Sequence, residues 1–461
     1  MATIGPGQFN QHNHKLNQSM KPLHHLSIGI LSAIGLATAS PAARAQTDYK
    51  FDFGGGRPAS GWMQITPVNM YSDTNGYGFE PGALPVAIGN DALGAGQPFY
   101  FSVKEPEGNY QVTVTFGSAA APSDNTVKAE LRRLMLEKIH TDPGQSVTRS
   151  FIVNVRIPQF PGGQVRLKAP RETTQEARAW DDKLTIEFNH DETNSAVSKV
   201  DIEKVDVPTI YILGDSTVCD QSGETWNSWG QMLTRWFGPG IAIANHAESG
   251  ETLASSIGER RFAKVYSLLK PGDYVLMQFG HNDMKNHATN ALENYKANYV
   301  KVIGEIRAKG AIPVIIASME RANGANQDTL MGYPSAALET AAAQNVASID
   351  LHSMSQVFYR ALGDDVKKAF NDGITHHNNY GSYEISKMVV MGIKADKLDI
   401  AKYIVPDFQD FDPAHPDPLA TFKMALSAGR NAQRPLGDEN TFGSGAGTNA
   451  PATPAPKPPE N

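Results

Sequence analysis

Two patterns of apolar and polar residues divide the chain. Over residues 48–206, apolar side chains alternate with polar ones in short runs punctuated by Gly and Pro: YKFDF, GWMQITP, FYFSVK, NYQVTVTFG, SFIVNVRI, QVRLK, KLTIEFN and VSKVDIEKV. This period of two is typical of strands that bury one face, and many short strands with frequent turns predict an antiparallel β-sandwich. The run AELRRLMLEKI in the same region fits either a strand or a short helix.

From Val207 the pattern changes to continuous apolar runs separated by longer segments. The runs TIYIL, IAIAN, YVLMQF, IPVIIAS and VASIDL alternate with helix-compatible segments such as TWNSWGQMLTRWF, ALENYKANYVKVIGEIRAKG and GSYEISKMVVMGIKAD. A parallel sheet covered by helices on both faces gives this alternation. We therefore predict a three-layer α/β/α domain over residues 207–404, preceded by a sandwich domain over residues 48–206.

The two ends of the chain differ from both regions. Residues 1–45 hold no acidic residue and contain the apolar segment LSIGILSAIGLATA before Ala-Arg-Ala, which predicts a secretory signal peptide cleaved after Ala45. Met20 is an alternative start, because it would give a signal peptide of ordinary length. Residues 405–461 form a Pro-rich tail, in which residues 408–422 are expected to lie against the folded body and the end to be disordered.

Composition and charge exclude several classes of function. A chain of 461 residues with 40% apolar and 19% charged residues has room for two globular domains. Its net charge is −7, or −10 without the signal peptide, and the absence of basic runs argues against a nucleic-acid partner. No later apolar run is long enough to cross a bilayer, which predicts a secreted or periplasmic protein without a membrane anchor after cleavage. The single cysteine, Cys219, excludes an internal disulfide.

Polar residues follow the apolar runs of the second region, where its strands are expected to end. Four blocks stand out: GDST at 214–217, HAESG at 246–250, GHND at 280–283 and NDGITHHN at 371–378. Ligand sites of parallel sheets lie at the carboxyl ends of the strands, so we expect these blocks to meet there. Together they supply a hydroxyl nucleophile, imidazoles, carboxylates and N–H donors, which are the groups that acyl transfer requires.

In type and order the four blocks resemble those of the SGNH (GDSL) hydrolase superfamily, and within it the rhamnogalacturonan acetylesterase-like group. The resemblance covers the second region and implies a flavodoxin-like fold and a serine esterase that needs no cofactor and no metal. It makes Ser216 the nucleophile, His376 the general base and Asp372 the residue that orients the imidazole. The backbone N–H groups of Ser216 and Gly250 and the side chain of Asn282 would form the oxyanion hole. The FDFGGG and GYGFE stretches of the first region resemble the sandwich often fused to bacterial members.

One block departs from the family pattern. The family places Asp three residues before His, whereas Asp372 precedes His376 by four, as if Ile374 were inserted. His377 is an alternative base, but the Thr-His before Asn-x-Tyr-Gly matches the family block with His376 as the base.

Several other residues in or near the four blocks are candidates for a role in the site. His246 and His281, together with His376 and His377, offer a metal cluster as an alternative, but neither HExxH nor another tight ligand spacing occurs, so no metal centre is predicted. The second glycine of a G-x-S-x-G elbow is missing, which weakens an α/β-hydrolase assignment. Cys219 is interpreted as a packed side chain. Three tryptophans fit either a helix core or a sugar-stacking platform: Trp226, Trp229 and Trp236.

The resemblance implies an exported enzyme that removes acetyl groups from plant cell-wall polysaccharide, with pectic rhamnogalacturonan as the favoured substrate. The partner is then an acetylated polysaccharide, and no oligomeric state is specified. One alternative is an esterase of the same fold that acts on acetylated xylan, a lipid or a small ester. A second is an inactive carbohydrate-binding protein whose sandwich carries the binding site.

Overall fold

The computed structural model describes residues 48–428. The predicted signal peptide, the alternative start and the end of the tail lie outside the described residues. The predicted fold class is confirmed: two antiparallel sheets precede a parallel sheet that lies between two layers of helices. Among the described residues, no helix combines the length and the apolar character that crossing a bilayer requires.

The sandwich region (residues 48–206) contains fourteen strands. They are β1 (Asp48–Asp52), β2 (Met63–Gln64), β3 (Tyr77–Phe79), β4 (Val86–Ile88), β5 (Ala92–Gly94), β6 (Phe99–Lys104), β7 (Gly108–Phe116), β8 (Ser123–Ala129), β9 (Arg133–Thr141), β10 (Val147–Val155), β11 (Gln159–Phe160), β12 (Gly163–Gln164), β13 (Lys183–Asn189) and β14 (Val197–Val205). One sheet has the order β10-β7-β14-β1-β2 with β4 and β5 beside it, and the other has the order β3-β6-β13-β8-β9. All pairs in both sheets are antiparallel except β1 with β2.

Alternating burial explains the sandwich. In β7 every second side chain points into the core, and these four are fully buried: Tyr110, Val112, Val114 and Phe116. They meet side chains of both sheets in one hydrophobic core, as the period of two predicts.

The structure decides the secondary structure of two stretches in the sandwich region that the sequence left open or predicted wrongly. AELRRLMLEKI forms the end of β8, a turn and most of β9, so it is strand and not helix. QVRLK was wrongly predicted to be a strand. Pairing stops at Gln164, and the backbone N–H of Arg166 donates instead to the carbonyl of Glu259 in the second region. The contact with the second region replaces the strand pairing that the alternating pattern suggested.

The α/β region (residues 207–404) begins with the strand after β14. Its strands are β15 (Thr209–Gly214), β16 (Ala242–Asn245), β17 (Tyr274–Gln278), β18 (Ile312–Ile316) and β19 (Ala347–Ile349), all parallel and in the order β16-β15-β17-β18-β19. The helices are α1 (Trp229–Leu233), α2 (Leu253–Gly258), α3 (Arg261–Leu268), α4 (Ala291–Ala308), α5 (Tyr333–Ala343), α6 (Leu351–Leu362) and α7 (Asn379–Ala395). The change from antiparallel to parallel sheet lies between β14 and β15, while the division into two domains stays a prediction.

Two apolar cores flank the parallel sheet. Side chains of α1, α6 and α7 pack on one face of it, and side chains of α2, α3, α4 and α5 pack on the other. Strand β15 is buried along its whole length, since helices cover both of its faces. Its neighbours β16 and β17 lie on opposite sides of it, so the strand order reverses at β15.

The segment after the α/β region folds back on it. Phe408 packs edge to face on Trp236 with 5.3 Å between ring centroids, and Phe422 packs on Tyr380 at the same distance. Further on, the backbone N–H of Ser427 donates to a carboxylate oxygen of Glu224. Residues 408–427 therefore cover part of the surface of the α/β region.

Buried ion pairs join the sandwich and α/β regions. Glu172 of the sandwich region and Arg261 of α3 are both fully buried, and their charged groups make two hydrogen bonds of 2.9 and 2.6 Å. A second pair joins Arg132 to Glu224 at 2.7 Å. Loss of one partner leaves a buried charge without its counterion, which is far more costly than loss of a surface pair.

We expect Glu172→Gln to lower the free energy of unfolding by about 3–5 kcal/mol, since it removes the charge that binds the buried Arg261 guanidinium most closely and leaves only the more distant carboxylates of Glu251 and Glu259. Urea denaturation followed by tryptophan fluorescence measures this change. The matched control is Glu80→Gln, which breaks a partly exposed pair with Lys183 and is expected to cost no more than about 1 kcal/mol. Equal effects of the two substitutions would contradict the prediction.

Candidate active site

The predicted nucleophile, Ser216, lies just beyond the end of β15, where the strand order reverses. Its hydroxyl oxygen is 2.9 Å from Nε2 of His376, which is 160 residues further along the chain. Both residues are buried. The fold therefore brings the first and the last of the four sequence blocks into hydrogen-bond distance.

The turn that presents Ser216 is held by the preceding aspartate. One carboxylate oxygen of Asp215 accepts hydrogen bonds from the backbone N–H and the hydroxyl of Thr217, at 2.9 and 2.7 Å. Its other oxygen lies 3.5 Å from Nδ1 of His281. Burial alone would raise the pKa of Asp215, but the charge of His281 and the hydrogen bonds lower it. Asp215 therefore stabilises the turn and makes no contact with His376 that would orient the imidazole.

Asp372 makes the contact that orients the imidazole of His376. Its Oδ2 is 2.7 Å from Nδ1 of His376, and its Oδ1 accepts the backbone N–H groups of Ile374, Thr375 and His376 at 2.9, 2.9 and 3.1 Å. Burial alone would raise the pKa of Asp372, but the hydrogen bond and charge of His376 together with the backbone donors lower it to about 2.

The loop of residues 372–376 accommodates the four-residue spacing between Asp372 and His376. The additional residue, Ile374, points outward and is 46% exposed, while its N–H still donates to Asp372. Three donors along consecutive residues fix the carboxylate and leave its second oxygen facing the imidazole of His376. The extra residue thus lengthens the loop without separating the carboxylate from the histidine.

His377, the residue after His376, lies in a different environment from that of His376. Nε2 of His377 is 2.9 Å from the hydroxyl of Tyr359, and its ring stacks on Phe370 with 4.2 Å between centroids. Burial lowers the pKa of His377 to about 3. Of the two adjacent histidines, His376 is therefore the one beside Ser216, and His377 packs in the core.

The two other proposed oxyanion donors lie on adjoining loops. Gly250 has φ = 75°, a conformation that residues with a Cβ adopt at a cost. Nδ2 of Asn282 donates to the carbonyl of Glu251 at 3.0 Å, and its Oδ1 accepts from Lys285 at 2.9 Å. A side-chain amide carries two N–H groups, so the bond to Glu251 engages one of them. The residue that follows Gly250 is thus linked directly to Asn282.

Two of the three tryptophans, Trp229 and Trp236, and the cysteine serve packing. Trp229 and Trp236 belong to the hydrophobic core, where their indole N–H groups donate to Gln278 and Ser386. Trp226 is also buried, and its ring lies 5.8 Å from that of His376 in an edge-to-face arrangement. The sugar-stacking role therefore has no support for Trp229 and Trp236. Burial raises the pKa of the Cys219 thiol, which keeps it in the neutral form.

The metal alternative finds no support from the four histidines. Within residues 48–428, the side chains that lie close enough to share an ion are Glu320, Asp328 and His352. The carboxylate of Glu320 accepts hydrogen bonds from the backbone and the hydroxyl of Thr329, so protein donors already engage it.

Sequence reasoning missed the contribution of the sandwich region to this site. Lys168 donates to the carbonyl of Ser249, 2.6 Å away, and Arg171 donates to the side chain of Gln221, 3.1 Å away. Gln221 in turn donates to the carbonyl of Ser216 at 2.7 Å. The alternating pattern around Lys168 predicted a strand, and no local signal indicated partners 50 and 81 residues away.

Comparison with known proteins finds a family, curated relatives and a solved structure that this chain is similar to. The GDSL-like lipase/acylhydrolase family matches residues 212–382. The rhamnogalacturonan acetylesterase RhgT of Bacillus subtilis is 31% identical over 217 residues, which cover 42% of this chain and 94% of the relative. The probable rhamnogalacturonan acetylesterase YesY of the same organism is 30% identical over 214 residues, covering 43% and 98%. The crystal structure of Bacillus subtilis YxiM is 23% identical, covers 76% of this chain and 99% of its own, and has a TM-score of 0.42.

The lowered pKa of Asp372 predicts how stability changes with pH. Its pKa falls from an ordinary 3.8 to about 2, so the contribution of the ionised carboxylate is full above about pH 5 and is lost as the pH falls towards 2. The difference in free energy of unfolding between the wild type and Asp372→Asn should therefore shrink between about pH 5 and pH 2.5. Urea denaturation at each pH measures it. The exposed Asp365, replaced by Asn, is the control, and a difference for Asp372→Asn that does not change with pH would contradict the prediction.

Proposed function

Since the chain belongs to the SGNH (GDSL) hydrolase superfamily, in its rhamnogalacturonan acetylesterase-like group, we propose that it removes acetyl groups from rhamnogalacturonan, the pectic polysaccharide. The chain is a carboxylic ester hydrolase, and an SGNH acetylesterase. The observation that carries the proposal is the series of contacts from Ser216 to His376 and on to Asp372, at 2.9 and 2.7 Å. The pectic substrate is supported by the names of two relatives that this chain covers almost completely.

In the proposed reaction, Ser216 attacks the acetyl carbonyl carbon while its proton passes to Nε2 of His376. Asp372 holds the resulting imidazolium through Nδ1. The bond to the sugar oxygen then breaks, the sugar leaves with the proton from His376, and the acetyl group remains on Ser216. Water, deprotonated by His376, attacks this ester, and acetate leaves as Ser216 regains its proton.

The backbone N–H groups of Ser216 and Gly250 and the amide of Asn282 are proposed to stabilise the negative charge on the carbonyl oxygen. One such donor typically contributes about 100–1,000-fold to the rate. A well-placed general base contributes about 100–10,000-fold. Loss of Ser216, which removes the covalent pathway, should therefore be more severe than loss of Asn282.

We also propose that the protein acts outside the cytoplasm. Residues 1–45 combine an apolar segment with a small-residue cleavage site, and the expected substrate is a plant cell-wall polymer, which lies outside cells. The same proposal treats residues 48–206 and 207–404 as two domains, of which the second carries the four blocks.

The proposal is tested by acetate release from acetylated rhamnogalacturonan, acetylated xylan and 4-nitrophenyl acetate. We expect the wild type to act on the pectic polymer and Ser216→Ala to lose at least about 1,000-fold in rate, because nucleophile and base act as a unit. Activity on the aryl ester without activity on the pectic polymer would keep the mechanism and discard the substrate. Binding of polysaccharide without any Ser216-dependent hydrolysis would favour the carbohydrate-binding alternative.

The two adjacent histidines give a second test with an internal control. His376→Ala should lower kcat for 4-nitrophenyl acetate by about 100–10,000-fold, since it removes the proposed base. His377→Gln should keep kcat within about tenfold of the wild type and lower the melting temperature, because His377 packs on Phe370 and bonds Tyr359. A folded His377→Gln that loses more activity than His376→Ala would assign the base to the other histidine.

A further inference from the structure

A segment of the sandwich region extends onto the loops that carry the proposed oxyanion donors. It spans residues 165–180, after β12, and includes a short π-helical turn at Arg171–Gln175. Val165 and Trp180 are buried near its two ends and pack together in a small apolar cluster. The segment leaves the sandwich sheets and lies against the α/β region, beginning with the bond from Arg166 to Glu259.

A buried carboxylate fixes this segment in place. Glu172 accepts hydrogen bonds from the indole N–H of Trp180 at 2.9 Å and from the backbone N–H of Lys168 at 2.7 Å. The same carboxylate binds the guanidinium of Arg261 through both oxygens. The backbone at Lys168 is therefore held by a charge pair that is fully excluded from water.

From this position the side chain of Lys168 reaches the loop that carries Gly250. Its ammonium donates to the carbonyl of Ser249 at 2.6 Å and lies 2.8 Å from a carboxylate oxygen of Glu251. The side chain is 22% exposed. The carbonyl of Ser249 and the N–H of Gly250 belong to one peptide group, so the lysine binds one end of the peptide whose other end is the proposed oxyanion donor.

We propose that Lys168 is a positioning residue of the oxyanion hole, which orients and polarises the Ser249–Gly250 peptide from the sandwich region. This inference rests on the proposed function of Gly250. A peptide group is planar, so fixing its carbonyl also fixes the direction of its N–H. A cationic donor on the carbonyl draws electron density towards the oxygen, which makes the N–H of the same peptide a stronger donor.

The other contacts of the loop support this role. Arg261 lies 3.3 Å from the same Glu251 oxygen that Lys168 contacts, so the carboxylate serves as the common counterion. Asn282 holds the carbonyl of Glu251, on the far side of Gly250. Two peptide groups of this loop are thus held through their carbonyls: Ser249–Gly250 by Lys168, and Glu251–Thr252 by Asn282, the third proposed donor.

The same segment also reaches the nucleophile. Arg171 donates to Gln221, which donates to the carbonyl of Ser216. Arg171 also lies 2.6 Å from Glu176 and 3.3 Å from Glu248, two residues before Gly250. Residues 165–180 therefore contact the loops on both sides of the proposed oxyanion hole.

The test compares Lys168→Met, which keeps the length and removes the charge and the donor, with Lys168→Arg, which keeps both. We expect Lys168→Met to lower kcat for 4-nitrophenyl acetate about tenfold with KM changed less than about twofold, a part of the 100–1,000-fold that a whole donor contributes. Lys168→Arg should recover most of the loss. The matched control is Lys183→Met, since Lys183 has a similar exposure, 24%, and pairs with Glu80 in the sandwich region.

A second readout separates the oxyanion hole from general loss of structure. Diethyl 4-nitrophenyl phosphate inactivates serine esterases when the serine oxygen bonds to phosphorus and 4-nitrophenolate leaves, with the phosphoryl oxygen in the oxyanion hole. Its second-order inactivation constant should fall in Lys168→Met by about the same factor as kcat, while the melting temperature stays near that of the wild type.

The outcomes distinguish this inference from the proposed function. Wild-type kcat in Lys168→Met, an equal loss in Lys183→Met, or a loss that tracks the melting temperature and is not recovered by Lys168→Arg would each overturn the positioning role. The proposed function is judged separately by Ser216→Ala: hydrolysis that survives this change would overturn the mechanism, whatever the lysine variants do.

Discussion

The reversal of strand order at β15 is the constraint on which the rest of the site depends. Strands β16 and β17 lie on opposite sides of β15, so the loops that follow these strands diverge and leave a crevice above the end of β15. Ser216 lies there, in a turn that Asp215 closes. The loops after β16 and β17 carry Gly250 and Asn282, and the last loop before α7 brings His376 to Ser216. One topological feature therefore gathers residues that are far apart in the chain.

Buried charge is the second organising element, and it joins the two regions. Removing ions from water is costly, so each buried charge needs a partner, and here the partners come from different regions. Glu172 of the sandwich region meets Arg261, while Lys128 and Arg132 of the same region meet Glu224. The closest carboxylate to Arg261 and the two cations that bind Glu224 all belong to the sandwich region. The sandwich thus completes the charge balance of the α/β region, beside the loops that carry the site.

Much of the fold and the site could be predicted from the sequence, because local patterns determined them. Period-two runs indicated the sandwich strands, and the four blocks located Ser216, Asp372 and His376, which the structure brings together. Their catalytic roles stay a prediction. What the sequence did not reveal depends on distant partners. Only the first residue of QVRLK pairs as a strand, since Arg166 and Lys168 contact the α/β region instead.

The base side and the oxyanion side of the proposed catalytic site are held in place by contacts of different range along the chain. On the base side, Asp372 takes three N–H groups from its own loop and the imidazole from the same loop, so its geometry is set within five residues. The additional residue at Ile374 does not disturb it, because the loop supplies its own donors. On the oxyanion side, the Gly250 peptide is held by Lys168, 81 residues from Ser249 and in the other region. The sandwich region thus contacts the oxyanion side directly, whereas the base and its carboxylate are held by their own loop.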